Sequence, residues 1–187
     1  MLAGLMALAI LCLGAGASRA GDLTFFQPGS RPATLQFSAG AFSLFDDGQK
    51  DTAPLFQFDA VSRWDIVNFW DYAQVNPYVG GFVTGKSGRM GYLGLHGNIP
   101  VGPHFELNPF GGIGLYGRGS GRDLGSLTLF QAGLEILYVF VDGYRAGITF
   151  SHESNGQLLP RNHDHCICNP GSDNLLLTVA VPFDKIF

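Results

Sequence analysis

Hydrophobic and polar side chains alternate with a period of two along most of the chain after residue 33. The stretch FQAGLEILYVF (130–140) shows this best, because its even-numbered residues are all apolar while Gln131, Gly133 and Glu135 share the other face. A helix would place Glu135 among leucines and carry a central glycine, so a strand is favoured. The alternation predicts eight strands, over residues 34–42, 55–61, 76–85, 91–99, 104–117, 130–140, 144–155 and 173–183.

The connections between these strands are short at one end and longer at the other. Asp142-Gly143 predicts a tight hairpin between strands six and seven, and residues 100–103 form a short turn between strands four and five. The loops over 117–126 and 156–172 are longer. Short turns on one side and longer loops on the other are typical of a bacterial outer-membrane barrel with both termini in the periplasm.

The polar face of several strands carries ionisable groups, among them Asp59, Glu106, Glu135 and Arg145. A soluble β-sandwich, the alternative fold, would expose that face to water. A small barrel would enclose these groups and pair them, and we expect Glu135 to pair with Arg145 on the neighbouring strand. We therefore predict an all-β fold, an eight-stranded antiparallel transmembrane β-barrel with its apolar face outward, and the aromatic ending at Phe187 agrees with it.

One stretch, WDIVNFWDYAQ (64–74), fits the pattern poorly, because a short periplasmic turn is expected there. We interpret it as strand extensions that carry the aromatic-belt residues Trp64 and Trp70. Residues 21–32 are interpreted as a periplasmic N-terminal segment.

The first 20 residues form an apolar run that ends in small residues, with Ser18 and Ala20 at the −3 and −1 positions of a cleavage site. This pattern predicts a secretory signal peptide over 1–20, with a transmembrane anchor as the alternative. Residues 21–187 then have the length of one barrel domain, which we place in the bacterial outer membrane.

Composition narrows the classes of function. The formal net charge is −4, charged residues make up 14%, and no basic run is present, so a nucleic-acid partner is not expected. After residue 20 no apolar run is long enough to span a bilayer as a helix. Cys166 and Cys168 remain after the predicted cleavage, too few for a disulfide scaffold.

The seventh strand ends in ITFSHESNG (148–156), where His152 and Ser154 occupy positions that the alternation assigns to the lipid-facing side. Their backbones lie about 7 Å apart along a strand, so the side chains can meet. Asp173, at the start of the last strand, has the same outward parity. Hydroxyl, imidazole and carboxylate are the parts of an activated nucleophile, and polar groups on a lipid face indicate function. The alternative is a strand end that turns polar near the membrane boundary.

HESNG followed by NPGSDN and a terminal strand resembles the outer-membrane lipid A 3-O-deacylases, the PagL-like family. The resemblance implies an eight-stranded barrel in which His152 is the base, Ser154 the nucleophile and Asp173 the acidic member. It also implies that Asn155 and Gly156 help to form the oxyanion hole. Family members more often carry Glu at the position of Asp173, and the connection from serine to acid is longer here because of the insert PRNHDHCICNPG.

Two loops carry further candidate residues. Arg118 and Arg122 in GRGSGRD (117–123) are candidates for binding lipid A phosphates, with solvated loop charges as the alternative. The insert NHDHCIC (162–168) has the ligand types of a metal site but not the spacing of a standard zinc site, so an exposed loop or a disulfide is the other interpretation. The Ser-His-acid triad itself requires no metal or cofactor.

The sequence therefore predicts an esterase that acts on lipid A, or lipopolysaccharide, in the outer leaflet; a homodimer is left open. An outer-membrane phospholipase A is one alternative, since that family also carries His-x-Ser-Asn-Gly. Its barrels have more strands, depend on calcium and use Asn where Asp173 stands, whereas Asn174 has inward parity. A non-enzymatic structural or adhesive barrel is the other alternative.

Overall fold

The computed structural model describes residues 23–45, 52–69, 72–156 and 171–186. Within those ranges no helix is long and apolar enough to cross a membrane. The predicted signal peptide, Trp70, Phe187 and the insert at 162–168 lie outside the described residues. The elements are β1 (Leu23–Pro28), β2 (Thr34–Phe42), β3 (Ala53–Val61), β4 (Trp64–Phe69), β5 (Ala73–Thr84), β6 (Arg89–Val101), β7 (Phe105–Gly117), β8 (Thr128–Val139), β9 (Arg145–Ser154), β10 (Ser172–Pro182) and a short 3-10 helix (Phe183–Lys185).

Eight of these strands close into a barrel. Antiparallel pairing runs in the order β2, β3, β5, β6, β7, β8, β9 and β10, and β10 pairs back with β2. This confirms the predicted eight-stranded antiparallel barrel, and the predicted strand bounds agree with the observed ones to within three residues.

Burial alternates along each strand with polar groups inside and apolar groups outside. In β3, Asp59 is 2% exposed while its neighbour Phe58 is 43% exposed. On β8, Glu135 is buried and Ile136 is exposed in the same way. Such an arrangement suits an apolar solvent outside the barrel and is the reverse of a soluble sandwich.

Buried carboxylates in the barrel interior have hydrogen-bond partners. Glu135 Oε2 lies 3.0 Å from His96 Nε2 and accepts from Asn108 Nδ2 at 3.3 Å. Glu106 accepts from Arg145 Nε at 2.9 Å and from Arg31 Nη1 at 2.6 Å. Buried charges require such partners because desolvation without them is strongly unfavourable.

The expected pairing of Glu135 with Arg145 is wrong. Glu135 stands opposite Thr149, whereas Arg145 stands opposite Val139 at the other end of the strand pair. Four residues along a strand correspond to about 13 Å, so the guanidinium does not reach Glu135 and bonds Glu106 instead.

The turns between β6 and β7 and between β8 and β9 are short, and they lie at the same end of the barrel as the start of β2 and the end of β10. Bacterial outer-membrane barrels direct their short turns to the periplasm. We call this the periplasmic end and the opposite one, where the longer loop between β7 and β8 lies, the outer end.

Two strands lie beyond the barrel at the periplasmic end. β4 pairs with the first residues of β5, and β1 pairs with β4 along its length. The interpretation of residues 64–74 as strand extensions is confirmed over Trp64–Phe69 and from Ala73 onward. We call β1, β4 and residues 73–75 of β5 the periplasmic extension.

Candidate active site

His152 and Asp173 form the centre of the candidate site. They are directly opposed in the antiparallel pair of β9 and β10, and His152 Nδ1 lies 2.7 Å from Asp173 Oδ1. Opposed side chains in such a pair start about 5 Å apart, so this contact needs no distortion of the strands. Their side chains are 28% and 32% exposed, on the outer side of the barrel. With its Nδ1 donating to the carboxylate, His152 keeps Nε2 free as the basic nitrogen.

Ser154 lies two residues further along β9, on the same outward face as His152 and opposite Phe130 of β8. No hydrogen bond joins Ser154 and His152, both of which are among the described residues. Contacts of this kind are often long before substrate binds and shorten in the complex. The structure therefore brings the three predicted residues onto one patch and has formed one of the two bonds that a triad needs.

The surface around this patch is apolar. Ala132 of β8 stands opposite His152, and the bulkier Phe130 and Leu134 lie on either side of it. Two residues before His152 on β9, the Phe150 ring lies 6.4 Å from the ring of Phe45, which is exposed. The small Ala132 thus lies beside the imidazole between two larger apolar side chains, a surface suited to an acyl chain.

Gly171 is a site residue that the sequence reasoning missed. It precedes β10 with a φ of +50°, a conformation that favours glycine. A Cβ atom at this position would lie 2.8 Å from His152 Cε1 and 3.3 Å from Nε2. The missing side chain therefore keeps the Nε2 edge of the imidazole open, at the place where a serine hydroxyl must approach.

We expect Gly171→Ala to reduce activity more than it reduces stability, because the new methyl group displaces the imidazole. Gly102→Ala is the matched control, since Gly102 also has a positive φ of 68° but its Cβ would meet nothing within 4 Å. Initial rates of ester cleavage and thermal unfolding should be measured for both variants. Equal effects of the two substitutions on activity would contradict this role for Gly171.

A buried polar network lies inside the barrel directly behind the patch. Asn174 Nδ2 donates to Ser151 Oγ at 3.1 Å and also to the carboxylate of Glu153. Ser172 Oγ donates to Asn174 Oδ1 at 2.9 Å, and all four side chains are fully buried. Ser151 and Glu153 alternate with the outward His152 on β9, and Ser172 and Asn174 alternate with the outward Asp173 on β10. Strand parity in the sequence therefore predicts that these four side chains point into the barrel.

The end of β2 adds two bonds to the same region. The backbone N–H of Ser43 donates to Asn174 Oδ1 at 2.9 Å, and that of Leu44 donates to the carbonyl of Asp173 at 2.8 Å. They hold β10 against the end of β2, while the bonds from Asn174 to Ser151 and Glu153 hold β10 in the register with β9 in which Asp173 faces His152.

The two residues after Ser154 take different positions. The side chain of Asn155 is buried, and its Nδ2 donates to the carbonyl of Leu124 at 3.2 Å. Gly156 is exposed and has a φ of +61°, so the chain turns sharply there. Their role in an oxyanion hole stays a prediction.

Both candidate arginines lie in the loop between β7 and β8 at the outer end. Arg118 Nη1 donates to Asp123 Oδ2 at 2.9 Å in an exposed ion pair, and Arg122 Nη1 donates to Ser43 Oγ at 2.9 Å. Their binding of phosphates stays a prediction. Among the described residues, no group of three or more His, Cys, Asp or Glu could hold a metal ion; the insert at 162–168 is not among them.

Comparisons with known proteins establish the fold. No family model matches this chain, and no curated protein matches its sequence. Among solved structures, the outer-membrane enzyme PagL matches with a TM-score of 0.58 and 18% identity, over 80% of this chain and 99% of that one. De novo designed transmembrane β-barrels match with a TM-score of 0.52 and 12% identity, over 84% and 100% of the two chains. Neisserial surface protein A matches with a TM-score of 0.50 and 9% identity, over 87% and 100%. At these identities the similarity shows the fold alone, and that fold is an eight-stranded outer-membrane β-barrel.

Proposed function

We propose that this chain is an outer-membrane esterase that removes the 3-O-linked acyl chain of lipid A. Ser154 is the nucleophile, His152 the general base and Asp173 the acidic member. The observation that carries the proposal is the 2.7 Å bond between His152 Nδ1 and Asp173 Oδ1 on the outer face of the barrel, beside Ser154. The buried network of Ser151, Glu153, Ser172 and Asn174 stabilises the register of β9 and β10 from inside the barrel. It does not account for the contact between His152 and Asp173 on the outer face.

The reaction follows from the arrangement. Ser154 Oγ attacks the ester carbonyl while His152 Nε2 takes the hydroxyl proton, and Asp173 stabilises the imidazolium that forms. Main-chain amides of Asn155 and Gly156 donate to the oxyanion of the tetrahedral intermediate. The intermediate collapses, the sugar oxygen leaves with the proton from His152, and water then hydrolyses the acyl-Ser154 ester by the same steps in reverse.

The outward direction of the patch supports a substrate that stays in the membrane. Polar groups on a lipid-facing wall are unfavourable there, which makes a functional role the default interpretation. The patch lies at the outer end of β9 and β10, so the outer leaflet presents its lipids to it. In that leaflet Arg118 and Arg122 would meet the phosphates of lipid A, although Arg118 is also paired with Asp123 in the loop and Arg122 with Ser43 after β2.

The choice of substrate bond rests on resemblance. HESNG and NPGSDN are similar to the motifs of the lipid A 3-O-deacylases. The fold shared with PagL, an outer-membrane enzyme, supports the choice. The phospholipase alternative would use Asn174, but that side chain is fully buried in the barrel and bonds Ser151 and Glu153.

Mass spectrometry of lipids tests the proposed function. Lipid A and phospholipids are extracted from cells that express the wild-type chain or the Ser154→Ala variant. We expect lipid A to lose one ester-linked hydroxyacyl chain with the wild type only. Lysophospholipid formation that depends on calcium would instead favour a phospholipase, and identical lipids from both strains would favour a non-enzymatic barrel.

A further inference from the structure

The apolar outer face of the barrel continues into the periplasmic extension. Its outward residues include Phe25, which is 56% exposed and stands opposite Val67, and the exposed aromatic side chains of Trp64 and Phe69. A set of aromatic groups this open to solvent, on one face of a small sheet, indicates a contact surface.

The opposite face of the extension is polar and internally bonded. Asp65 accepts from Asn68 Nδ2 at 3.1 Å and from Asn76 Nδ2 at 2.8 Å. Gln74 Nε2 donates to Ser30 Oγ at 3.2 Å. Asp65, Asn68 and the amide nitrogen of Gln74 thus have partners within the protein, whereas the aromatic side chains of the opposite face are exposed among the described residues.

The apolar face is continuous with the lipid-facing wall of the barrel. Val67 of β4 stands opposite Val75 of β5, and β5 carries the same outward parity on to Val79 and Val83, which are both exposed. The face therefore begins where the lipid-contacting surface of β5 ends, with no polar break between them.

The free edge of the extension limits what can cover it. β1 stands at the end of the pairing order, so no strand of the described residues pairs with its outer edge. Phe26 has a φ of +50°, and Pro28 has no N–H, two features that disfavour addition of another strand. Unpaired backbone groups also exclude the hydrocarbon core, where no water can bond them. The remaining environment is the boundary between lipid headgroups and acyl chains, which favours aromatic side chains.

We propose that the periplasmic extension rests on the inner leaflet, with Phe25, Trp64 and Phe69 in the headgroup boundary of its phospholipids. The contact lengthens the lipid-facing wall on the side of β3 and β5 and anchors the N-terminal segment to the membrane. It is independent of the proposed esterase site, which lies at the other end of the barrel.

Tryptophan fluorescence tests this contact, because the two tryptophans of the chain are Trp64 and Trp70. The Trp70→Phe variant, folded into phosphatidylcholine vesicles, leaves Trp64 as the reporter. Bromine atoms on the acyl chains quench nearby indoles. We expect strong quenching of Trp64 by lipids brominated near the headgroup and weaker quenching by lipids brominated near the chain end.

Two control variants, made in a chain that lacks both native tryptophans, give the quenching expected of a lipid-facing indole and of a buried one. Leu177→Trp places an indole on the exposed barrel wall, and Phe82→Trp places one in the buried interior. Gel mobility with and without heating verifies that each variant is folded. Phe25→Asp in the Trp70→Phe chain should lower the quenching of Trp64, because a carboxylate opposes burial of this face in the boundary.

Quenching of Trp64 no greater than that of the Phe82→Trp control would overturn the proposal, since the face would then be covered by water or by protein. Protection of Trp64 that increases with the protein-to-lipid ratio would overturn it too, because a second copy of the chain would then be the cover.

Discussion

Replacing His152 with alanine is expected to lower the rate of ester cleavage by about 10⁴- to 10⁶-fold. Without the imidazole, Ser154 loses the general base that the proposal assigns to it. His152 is partly exposed on the outer wall, so its loss leaves the barrel core intact. Initial rates on lipid A in mixed micelles or vesicles measure the effect.

His104→Ala is the matched control for this substitution. His104 stacks on Tyr138 with ring centroids 5.5 Å apart, in the turn before β7 at the periplasmic end, away from the candidate site. We expect the wild-type rate from it. A His152→Ala rate within about tenfold of the wild type would remove His152 from the role of base.

Asp173→Asn is expected to reduce the rate on the order of 10⁴-fold while the site keeps its shape. The register holds residue 173 opposite His152, so an amide there would donate its N–H to Nδ1. His152 would then carry its hydrogen on Nε2 and could not accept the proton of Ser154. The measurement is kcat on lipid A for the folded variant.

Two further variants test whether the loss of kcat is specific to the carboxylate of Asp173 or follows the removal of any acidic residue. Asp173→Glu keeps the carboxylate, and we expect it to retain more activity than Asp173→Asn. Asp184→Asn removes an exposed carboxylate from the 3-10 helix at the periplasmic end and should leave kcat unchanged. Full activity of Asp173→Asn would show that His152 is oriented by another group.

The sequence predicted the face of each site residue because strand parity does not depend on the rest of the fold. His152, Ser154 and Asp173 follow the apolar positions of their strands, and all three lie on the predicted side. The pairing of Asp173 with His152 was not predictable from parity alone. It depends on the register of β9 and β10, which the buried bonds from Asn174 to Ser151 and Glu153 help to fix.

The interior partner of Arg145 and the role of Gly171 could not be predicted from the sequence for a similar reason. The partner of Arg145 is set by the stagger of the closed barrel, which brings it to Glu106 of β7 rather than to Glu135 of the adjacent strand. Gly171 is needed because a Cβ atom at this position would lie too close to the His152 ring. The local sequence does not show that the ring lies there. The periplasmic N-terminal segment was expected, but not that residues 23–28 pair with β4.

The most direct test of an outward Ser-His-Asp site is covalent labelling of the folded chain in lipid vesicles with a lipid-soluble alkyl fluorophosphonate. Peptide mass spectrometry then locates the modified serine. We expect stoichiometric modification of Ser154 in the wild type and almost none in the His152→Ala variant. Modification at a different serine, or equal labelling of Ser154 without His152, would contradict it.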